Sequence, residues 1–187
     1  MLVTLSGLPG SGTSTVARLV AAELGLDHLD GGTVFRTVAA EQGVSLAEYA
    51  AMAEHDENID RALDDRLTDR ARAGDVLLES RLSGWLATRA GLDGLTVWIR
   101  CDEVERARRV GGRDGHDVDA ALDHNRQREA SERARYLGYY EIDLTDLSIY
   151  DLVLDSTDVG PSELVARIVA AAGARAAGPG PTDHAVR

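Results

Sequence analysis

Five short apolar runs, separated by longer stretches with helical spacing, organise the hydrophobic pattern of this chain of 187 residues. The runs have the length and the apolar character of buried strands. They are MLVTL at 1–5, LDHLD at 26–30, DVLLES at 75–80, LTVWIRC at 95–101 and YDLVLD at 150–155. Strands that alternate with helices predict a parallel sheet covered by helices on both faces, which is an α/β fold.

The stretch that follows the first run has the spacing of an amphipathic helix. In STVARLVAAELG, at 14–25, four apolar residues recur on one face, and Gly25 is expected to cap the carboxyl end. These four residues are Val16, Leu19, Val20 and Leu24. We predict that this face packs against the sheet.

Polar residues follow the predicted strands at their carboxyl ends. Asp30 leads into GGTVFR, Glu79 into SRLSGW, and Asp155 into Ser and Thr, while the first strand leads into a glycine-rich loop. In open α/β sheets, ligands bind beyond the carboxyl ends of the strands. The sequence therefore predicts a ligand site at this edge of the sheet.

The charge of the chain excludes some partners. The formal net charge is −12, and all 20 basic residues are arginine. An acidic chain argues against a nucleic-acid partner held by electrostatics, and a chain without lysine has no catalytic lysine. Two explanations of this bias stay open, adaptation to high salt and genomic composition. A protein of this charge that handles phosphates must concentrate its arginines locally.

Three features indicate the compartment. Cys101 is the only cysteine, so no intramolecular disulfide can form, which fits a reducing cytoplasm. The chain has no apolar run of 18 residues, and a strand at its start leaves no room for a signal peptide. We therefore expect a cytoplasmic protein without a membrane partner.

The segment SGLPGSGTST, at 6–15, matches the phosphate-binding pattern G-x-x-x-x-G-K-S/T except that Thr13 replaces the lysine. Its glycines let successive N–H groups point into one concavity, and the following helix adds its dipole. We expect this loop to bind ATP, with Ser14 as the Mg²⁺ ligand. The expected ATP-binding residues are Gly7, Leu8, Pro9, Gly10, Ser11, Gly12, Thr13, Ser14 and Thr15. The alternatives are an inactive site and a strand–helix connection without a ligand.

Two arginine-rich segments could supply the missing charge. EVERARRVGGRDGH, at 103–116, carries four arginines around Gly111 and Gly112, and NRQREASERARY, at 125–136, carries four more. Arginines next to a flexible glycine pair suit a lid that closes on phosphates and excludes water. The alternative is a solvated helix surface with Arg–Glu pairs four residues apart.

Several motifs resemble those of the nucleoside monophosphate kinases, and among them the archaeal type of cytidylate kinase, over about residues 1–170. The glycine loop is similar to GPPGSGTTT, which also lacks lysine. LDGGTVFR resembles L-D-x-G-x-x-F/Y-R, and LLESRLSGW resembles L-E-G-R-L-A-G-W with Ser80 in place of a glycine. REASERAR resembles R-D/E-x-x-D/E-x-x-R, with Ser131 where bacterial relatives carry an arginine. LSIYDLVLDST is similar to the closing strand of the family.

The resemblance implies one domain of the P-loop NTPase type over 1–174, with a five-stranded parallel sheet flanked by helices. It also implies a helical acceptor-binding insertion at 33–72 and a mobile lid at 103–136. The remaining segment, 175–187, is punctuated by Gly and Pro, and we expect it to be disordered. We expect a monomer.

The implied reaction is transfer of the γ-phosphoryl group of ATP to CMP, and also to dCMP, with Mg²⁺. The implied acceptor-binding residues are Asp30, Arg36, Arg81, Arg128, Glu132 and Asp155. Arg36 and Arg81 would bind the acceptor phosphate, Glu132 would accept from the base amine, and Asp155 would approach the ribose. Arg109, Arg113 and Arg135 would stabilise the transferred group, and one of them would replace the missing lysine.

Other functions stay open at this point. An adenylate or uridylate kinase of the same fold would differ at few residues, because base choice depends on few contacts. A non-catalytic nucleotide-binding module would bind ATP without any dependence on an acceptor. A switch protein of the GTPase type needs an N-K-x-D motif, which a chain without lysine does not contain.

Overall fold

The computed structural model describes residues 1–177, and its centre is a five-stranded sheet. The strand order is β2-β3-β1-β4-β5, and every neighbouring pair is parallel. The strands are β1 at Leu2–Gly7, β2 at Asp27–Asp30, β3 at Val76–Glu79, β4 at Leu95–Arg100 and β5 at Leu152–Asp155. All five predicted strands are present, which confirms the predicted parallel α/β sheet.

Eight helices connect and cover the strands within the described residues. They are α1 at Thr13–Leu24, α2 at Gly31–Glu41, α3 at Leu46–Ala53, α4 at Glu57–Arg72, α5 at Ser83–Arg89, α6 at Glu103–Asp114, α7 at Val118–Tyr140 and α8 at Pro161–Ala176. The predicted insertion at 33–72 falls on α2 to α4, and the predicted lid at 103–136 falls on α6 and most of α7. Their roles as insertion and lid stay predictions.

The predicted tail begins too early. Arg175 and Ala176 belong to α8, and a guanidinium nitrogen of Arg175 lies 2.6 Å from a carboxylate oxygen of Asp93. The helical pattern of VARIVAAAG continues into this turn, so the helix ends two residues beyond the predicted boundary. Residues 178–187, which hold the rest of that predicted tail, lie outside the described residues.

Apolar clusters cover both faces of the sheet. On one face, strands β1 and β4 pack against α1 and α8, with Val16 and Ile168 at the contact. On the other face, β3 packs against α4 and α5 through residues such as Leu78, Leu67 and Ala87. Because both faces of the sheet are covered, β1 is buried at all six positions, and its buried positions do not alternate with exposed ones.

The predicted apolar face of α1 is correct at three of four positions. Val16 and Val20 are buried and Leu24 packs partly against the core, but Leu19 is 42% exposed. The buried face of α1 turns toward Ala17 and Ala21, whose small side chains allow the helix to approach the sheet, and this leaves Leu19 in solvent. Gly25 caps the helix with a left-handed φ of 64°, as predicted.

The parallel sheet brings the carboxyl ends of all five strands to one edge. The glycine loop after β1 is therefore flanked by the end of β3 on one side and the end of β4 on the other. None of the helices in residues 1–177 is both long enough and apolar enough to cross a membrane.

Candidate active site

The glycine loop forms a tight turn between β1 and α1. Gly10 and Gly12 have φ of +83° and +86°, a region that favours glycine. A Cβ on Gly10 would lie 2.5 Å from the backbone oxygen of Arg106, so the loop packs directly on α6. Gly12 begins α1 without a side-chain cap. The first N–H groups of α1 are therefore available to an anion, which the helix dipole also favours.

Arg106, on α6, holds this loop in place by a hydrogen bond to its backbone. Its side chain is almost fully buried, one guanidinium nitrogen donates to the carbonyl of Pro9 at 3.2 Å, and Glu129 pairs with the guanidinium. In the sequence, Arg106 is only one of the four arginines of the predicted lid segment 103–116. Arg106 begins the buried stripe of α6, which continues at Ala107, Val110 and Gly111, and this helical spacing distinguishes it from its exposed neighbour Arg108.

Ser14 and Glu79 meet where the loop lies against the end of β3. The hydroxyl of Ser14 donates to one carboxylate oxygen of Glu79 at 2.6 Å, and the other oxygen lies 2.9 Å from Nε2 of His28. The sequence placed Glu79 at a strand end but did not connect it with Ser14. The pairing of β3 with β1, which brings the two together, depends on strand order.

The Ser14–Glu79 pair fits a magnesium ion. Hydroxyl and carboxylate oxygens are ligands that Mg²⁺ accepts, and Mg²⁺ in kinases takes only one or two protein ligands and several phosphate and water oxygens. Across residues 1–177, no group of three or more His, Cys, Asp or Glu side chains is arranged to hold a metal ion by itself. The oxygens of Ser14 and Glu79 therefore suit a metal ion that binds together with a nucleotide.

A cleft of about 1060 Å³ extends from the loop between α2–α4 and α7. It brings together most of the residues that the motifs predicted. The predicted site residues that line it are Pro9, Gly10, Thr13, Ser14, Asp30, Arg36, Arg81, Arg113, Arg128, Glu132 and Arg135. The glycine loop and most of the predicted acceptor-binding residues therefore line the same cleft.

Glu132 holds two arginines on the wall of this cleft. Nε of Arg81 donates to one carboxylate oxygen at 3.0 Å, and Nε of Arg128 donates to the other at 2.8 Å. Arg81 also donates to the backbone oxygen of Gly7 at 3.1 Å, which ties it to the start of the loop. Burial raises the pKa of Glu132, but the two arginines lower it further, so the carboxyl is ionised. The result is a fixed pair of guanidinium groups beside the loop.

Arg36 approaches the cleft from the first turns of α2. Asp30 caps this helix by accepting from the N–H of Gly32 at 2.9 Å, and Arg36 donates to Asp30 at 3.3 Å and to the hydroxyl of Thr33 at 2.8 Å. The Arg36 side chain is about half exposed. Asp30 therefore acts here as a helix cap that positions Arg36 at the mouth of the cleft.

The three predicted lid arginines lie in three different places. Arg113 lines the cleft, is largely exposed, and bonds only to its neighbour Asp114 among the described residues. Arg135 lines the cleft but is buried, with a guanidinium nitrogen 2.9 and 3.0 Å from the two oxygens of Asp60. Arg109 does not line the cleft.

Arg109 instead contacts the loop that follows β5. Its guanidinium donates to the carbonyl oxygen of Ser156 at 2.7 Å and to the Ser156 hydroxyl at 3.1 Å. A Cβ on Gly12 would lie 3.7 Å from it. Arg109 therefore bonds to the loop after β5 and lies near Gly12, at the start of α1.

Asp155 does not join the other predicted acceptor residues. It ends β5, and β2, which ends in Asp30, is at the opposite edge of the sheet with three strands between them. At about 4.8 Å per strand, this separation is roughly 19 Å. The Asp155 carboxylate accepts from the N–H of Thr157 at 2.8 Å, and Asp155 is absent from the cleft lining. The expected contact with the acceptor ribose is therefore not supported by the sheet order.

Comparison with known proteins gives relatives over most of the chain. The family model described as AAA domain matches residues 3–135. The cytidylate kinase of Methanocaldococcus jannaschii is 42% identical over 158 residues, which cover 84% of this chain and 89% of that protein. The cytidylate kinase of Halorubrum lacusprofundi is 44% identical over 171 residues, which cover 91% and 88%. These matches confirm the resemblance drawn from the motifs.

Solved structures share the fold at low sequence identity. The shikimate kinase from Bacteroides thetaiotaomicron has a TM-score of 0.61 at 14% identity, covering 93% of this chain and 99% of that one. A gluconokinase from Sinorhizobium meliloti has a TM-score of 0.59 at 16% identity, covering 91% and 90%. At such identities the likeness concerns the fold alone, and it confirms the predicted five-stranded parallel sheet of the P-loop type.

Proposed function

Because the chain belongs to the cytidylate kinase family and carries the AAA domain of the matching family model, we propose that it transfers the γ-phosphoryl group of ATP to CMP and to dCMP. An oxygen of the acceptor phosphate bonds to the γ-phosphorus, and the bond from that phosphorus to the β–γ bridging oxygen breaks. The products are ADP and the cytidine diphosphate. The observation that carries the proposal is the single cleft that joins the glycine loop to the guanidinium groups of Arg36, Arg81 and Arg128.

The glycine loop would hold the donor. Its backbone N–H groups and the start of α1 provide an anion site that does not depend on a lysine, so Thr13 does not prevent phosphate binding. Ser14 and Glu79 would hold Mg²⁺, which neutralises charge on the β- and γ-phosphates when it is bound with ATP. Arg106 keeps the loop in place through Pro9.

The guanidinium pair held by Glu132 would bind the acceptor phosphate. Arg81 is tied to Gly7, so a phosphate on Arg81 and Arg128 lies beside the donor loop, which is the proximity that direct transfer requires. Arg36, at the cleft mouth, can add a third contact. Each oxygen of Glu132 accepts from one of the two arginines, so we assign Glu132 to positioning these arginines.

Of the three lid candidates, Arg113 is the one we assign to the transferred group. It lines the cleft and is only paired with the adjacent Asp114, so it is free to reach a phosphate at little loss of other contacts. Arg135 would have to leave the buried Asp60 carboxylate, and Arg109 would have to leave Ser156. Arg113 would then supply the charge that a P-loop lysine provides elsewhere.

We also propose a monomeric enzyme of the cytoplasm that does not bind nucleic acid or membranes. The net charge of −12 supports the absence of nucleic-acid binding, since polyanions would be repelled. The single cysteine supports a reducing compartment.

The test is an acceptor panel. ADP release from ATP and Mg²⁺ is measured with CMP, dCMP, UMP, AMP and GMP, at low and at molar KCl. Turnover that is strong with CMP and dCMP and weak with the rest supports the proposal. Preference for AMP, UMP or GMP contradicts the choice of base, and turnover without dependence on any acceptor contradicts the kinase reaction.

A further inference from the structure

Asn125 is a buried polar residue of α7 that the phosphate contacts proposed above leave unused. It is only 4% exposed, and it lines the cleft. Its side-chain nitrogen Nδ2 is buried and has no hydrogen-bond partner among residues 1–177. Most buried polar atoms of side chains have a partner in the protein or in an ordered water. A buried donor in the wall of a cleft therefore points to a group that enters the cleft.

The packing of the helices does not account for an asparagine at this position. Asparagine ranks low among helix formers, and Asn125 lies in the interior of a helix of 23 residues. Ala121, one turn earlier, is fully buried in an apolar cluster with Val110 of α6. An apolar side chain of similar shape would extend this packing without a donor that lacks a partner. The amide therefore requires an explanation outside the core.

Asn125 lies between the glycine loop and the arginines that we assign to the acceptor phosphate. On a helix, the residues at i+3 and i+4 are the neighbours of residue i on the same face. At i+4, Glu129 pairs with Arg106, which donates to the carbonyl of Pro9 in the glycine loop. At i+3 is Arg128, which also lines the cleft. The amide is therefore flanked by a residue tied to the donor side and by one on the acceptor side.

We propose that Asn125 is a further catalytic residue, and that its Nδ2 donates to a non-bridging oxygen of the γ-phosphoryl group during transfer. The transferred group spreads its charge over three equatorial oxygens, so it can accept from Asn125 as well as from Arg113. In a part of the cleft sheltered from water, an amide adds a donor without the desolvation cost of another charge. The pair of Arg135 and Asp60 is remote from this contact, because Arg135 lies ten residues further on, about 15 Å along α7. The inference rests on the proposed function, since it requires transfer from ATP to an acceptor in this cleft.

The test uses the full chain with Asn125→Leu and Asn125→Ala. Leucine keeps the approximate shape of asparagine and removes the donor. The constants kcat and KM are measured for ATP and CMP, a calorimetric titration with ADP and Mg²⁺ reports on the glycine loop, and thermal unfolding reports on stability. Asp123→Leu is the matched control, because Asp123 is exposed two residues earlier on α7 and does not line the cleft.

We expect kcat to fall about 100-fold in both Asn125 variants and to stay unchanged in Asp123→Leu. Both KM values and the affinity for ADP should stay within about threefold of wild type, because the contact forms with the group in transfer. The Tm of Asn125→Leu should equal or exceed that of wild type, since the variant loses a buried donor that has no partner.

A kcat that falls less than about tenfold in a folded variant overturns the inference. A lower kcat together with weaker ADP binding and a lower Tm also overturns it, because that pattern indicates an amide that holds the helices together. If Asn125→Leu does not fold, Asn125→Ala decides, and failure of both to fold overturns the inference for the same reason. A wild-type protein that transfers no phosphoryl group to any nucleoside monophosphate contradicts the proposed function itself, before any variant is compared.

Discussion

Replacing Asp64 by asparagine should stabilise the protein at alkaline pH and much less at acidic pH. Asp64 is buried on α4, and burial raises the pKa of its carboxyl from 3.8 to about 7. The neighbouring groups act in both directions: the Tyr140 hydroxyl and Arg135 lower this pKa, and Asp60 and Asp65 raise it. Asparagine has nearly the same shape and does not ionise. The variant therefore removes the electrostatic penalty and keeps the packing.

The sign and size follow from proton linkage. Between pH 4 and pH 7 the unfolded chain has lost the Asp64 proton while the folded chain still holds it, so wild-type stability falls as pH rises. The pKa of Asp64 rises by about 3, and each pKa unit corresponds to about 1.36 kcal/mol, so the wild-type protein loses about 4 kcal/mol of stability above pH 7. At pH 5 the wild-type protein has lost only about 1.6 kcal/mol of stability in this way. The advantage of Asp64→Asn should grow by about 2.5 kcal/mol from pH 5 to pH 8.

Urea unfolding of the two proteins at pH 5, 6, 7 and 8, at constant ionic strength, measures this difference. Changes at carboxyl groups that do not interact with Asp64 cancel in the subtraction because both proteins carry them. The exposed Asp65→Asn variant should differ from wild type by less than about 0.5 kcal/mol at every pH. A difference between Asp64→Asn and wild type that is constant from pH 5 to pH 8, or that shrinks, would refute the reasoning.

Three further substitutions test the glycine loop, the acceptor-binding residues and the predicted lid. Gly10→Ala should weaken ATP binding at least about tenfold in a calorimetric titration, because φ is +83° and the added Cβ would lie 2.5 Å from the backbone oxygen of Arg106 in α6. Gly138→Ala is the control and should leave ATP binding unchanged, because an added Cβ there has no neighbour within 4 Å. Glu132→Gln should raise KM for CMP about tenfold with a smaller effect on kcat, since the two arginines lose the charge that orients them; an unchanged KM would contradict this role. Arg113→Ala should lower kcat about 100-fold while Arg108→Ala does not, and equal kcat values for the two would rule out Arg113.

The fold was predictable because its signals are local. The central strands β1, β3 and β4 are buried in a parallel sheet, so they appear as compact runs with few charges, and the glycine loop has a fixed spacing between β1 and α1. Leu19 was misassigned because helical periodicity allows a broad apolar face, and only the packing of small residues such as Ala17 against the sheet decides which part is buried.

The site was predictable only where motifs carry it. Arg36, Arg81 and Arg128 were named from motifs, and the structure brings them to one cleft. Asp155 was grouped with them, although strand order, which a sequence pattern does not encode, separates β5 from β2. The pairing of Ser14 with Glu79 was missed for the same reason.

The buried carboxyl groups of α4 could not be recognised from the sequence. ENIDRALDDRLTDRAR is rich in charge and has the appearance of a solvated helix. Asp60 is buried because it meets Arg135, which is 75 residues away in the chain. Only the packing of α4 against α7 reveals that two of its aspartates face a cavity.

The most direct test of the central claim follows the phosphoryl group itself. ATP labelled at the γ-phosphate is incubated with Mg²⁺, CMP and the purified protein, and the labelled products are separated by chromatography. The account predicts that the label appears in CDP at a rate that depends on CMP, and that little appears as inorganic phosphate. Label that is released mainly as inorganic phosphate, or that stays in ATP with CMP present, would contradict it.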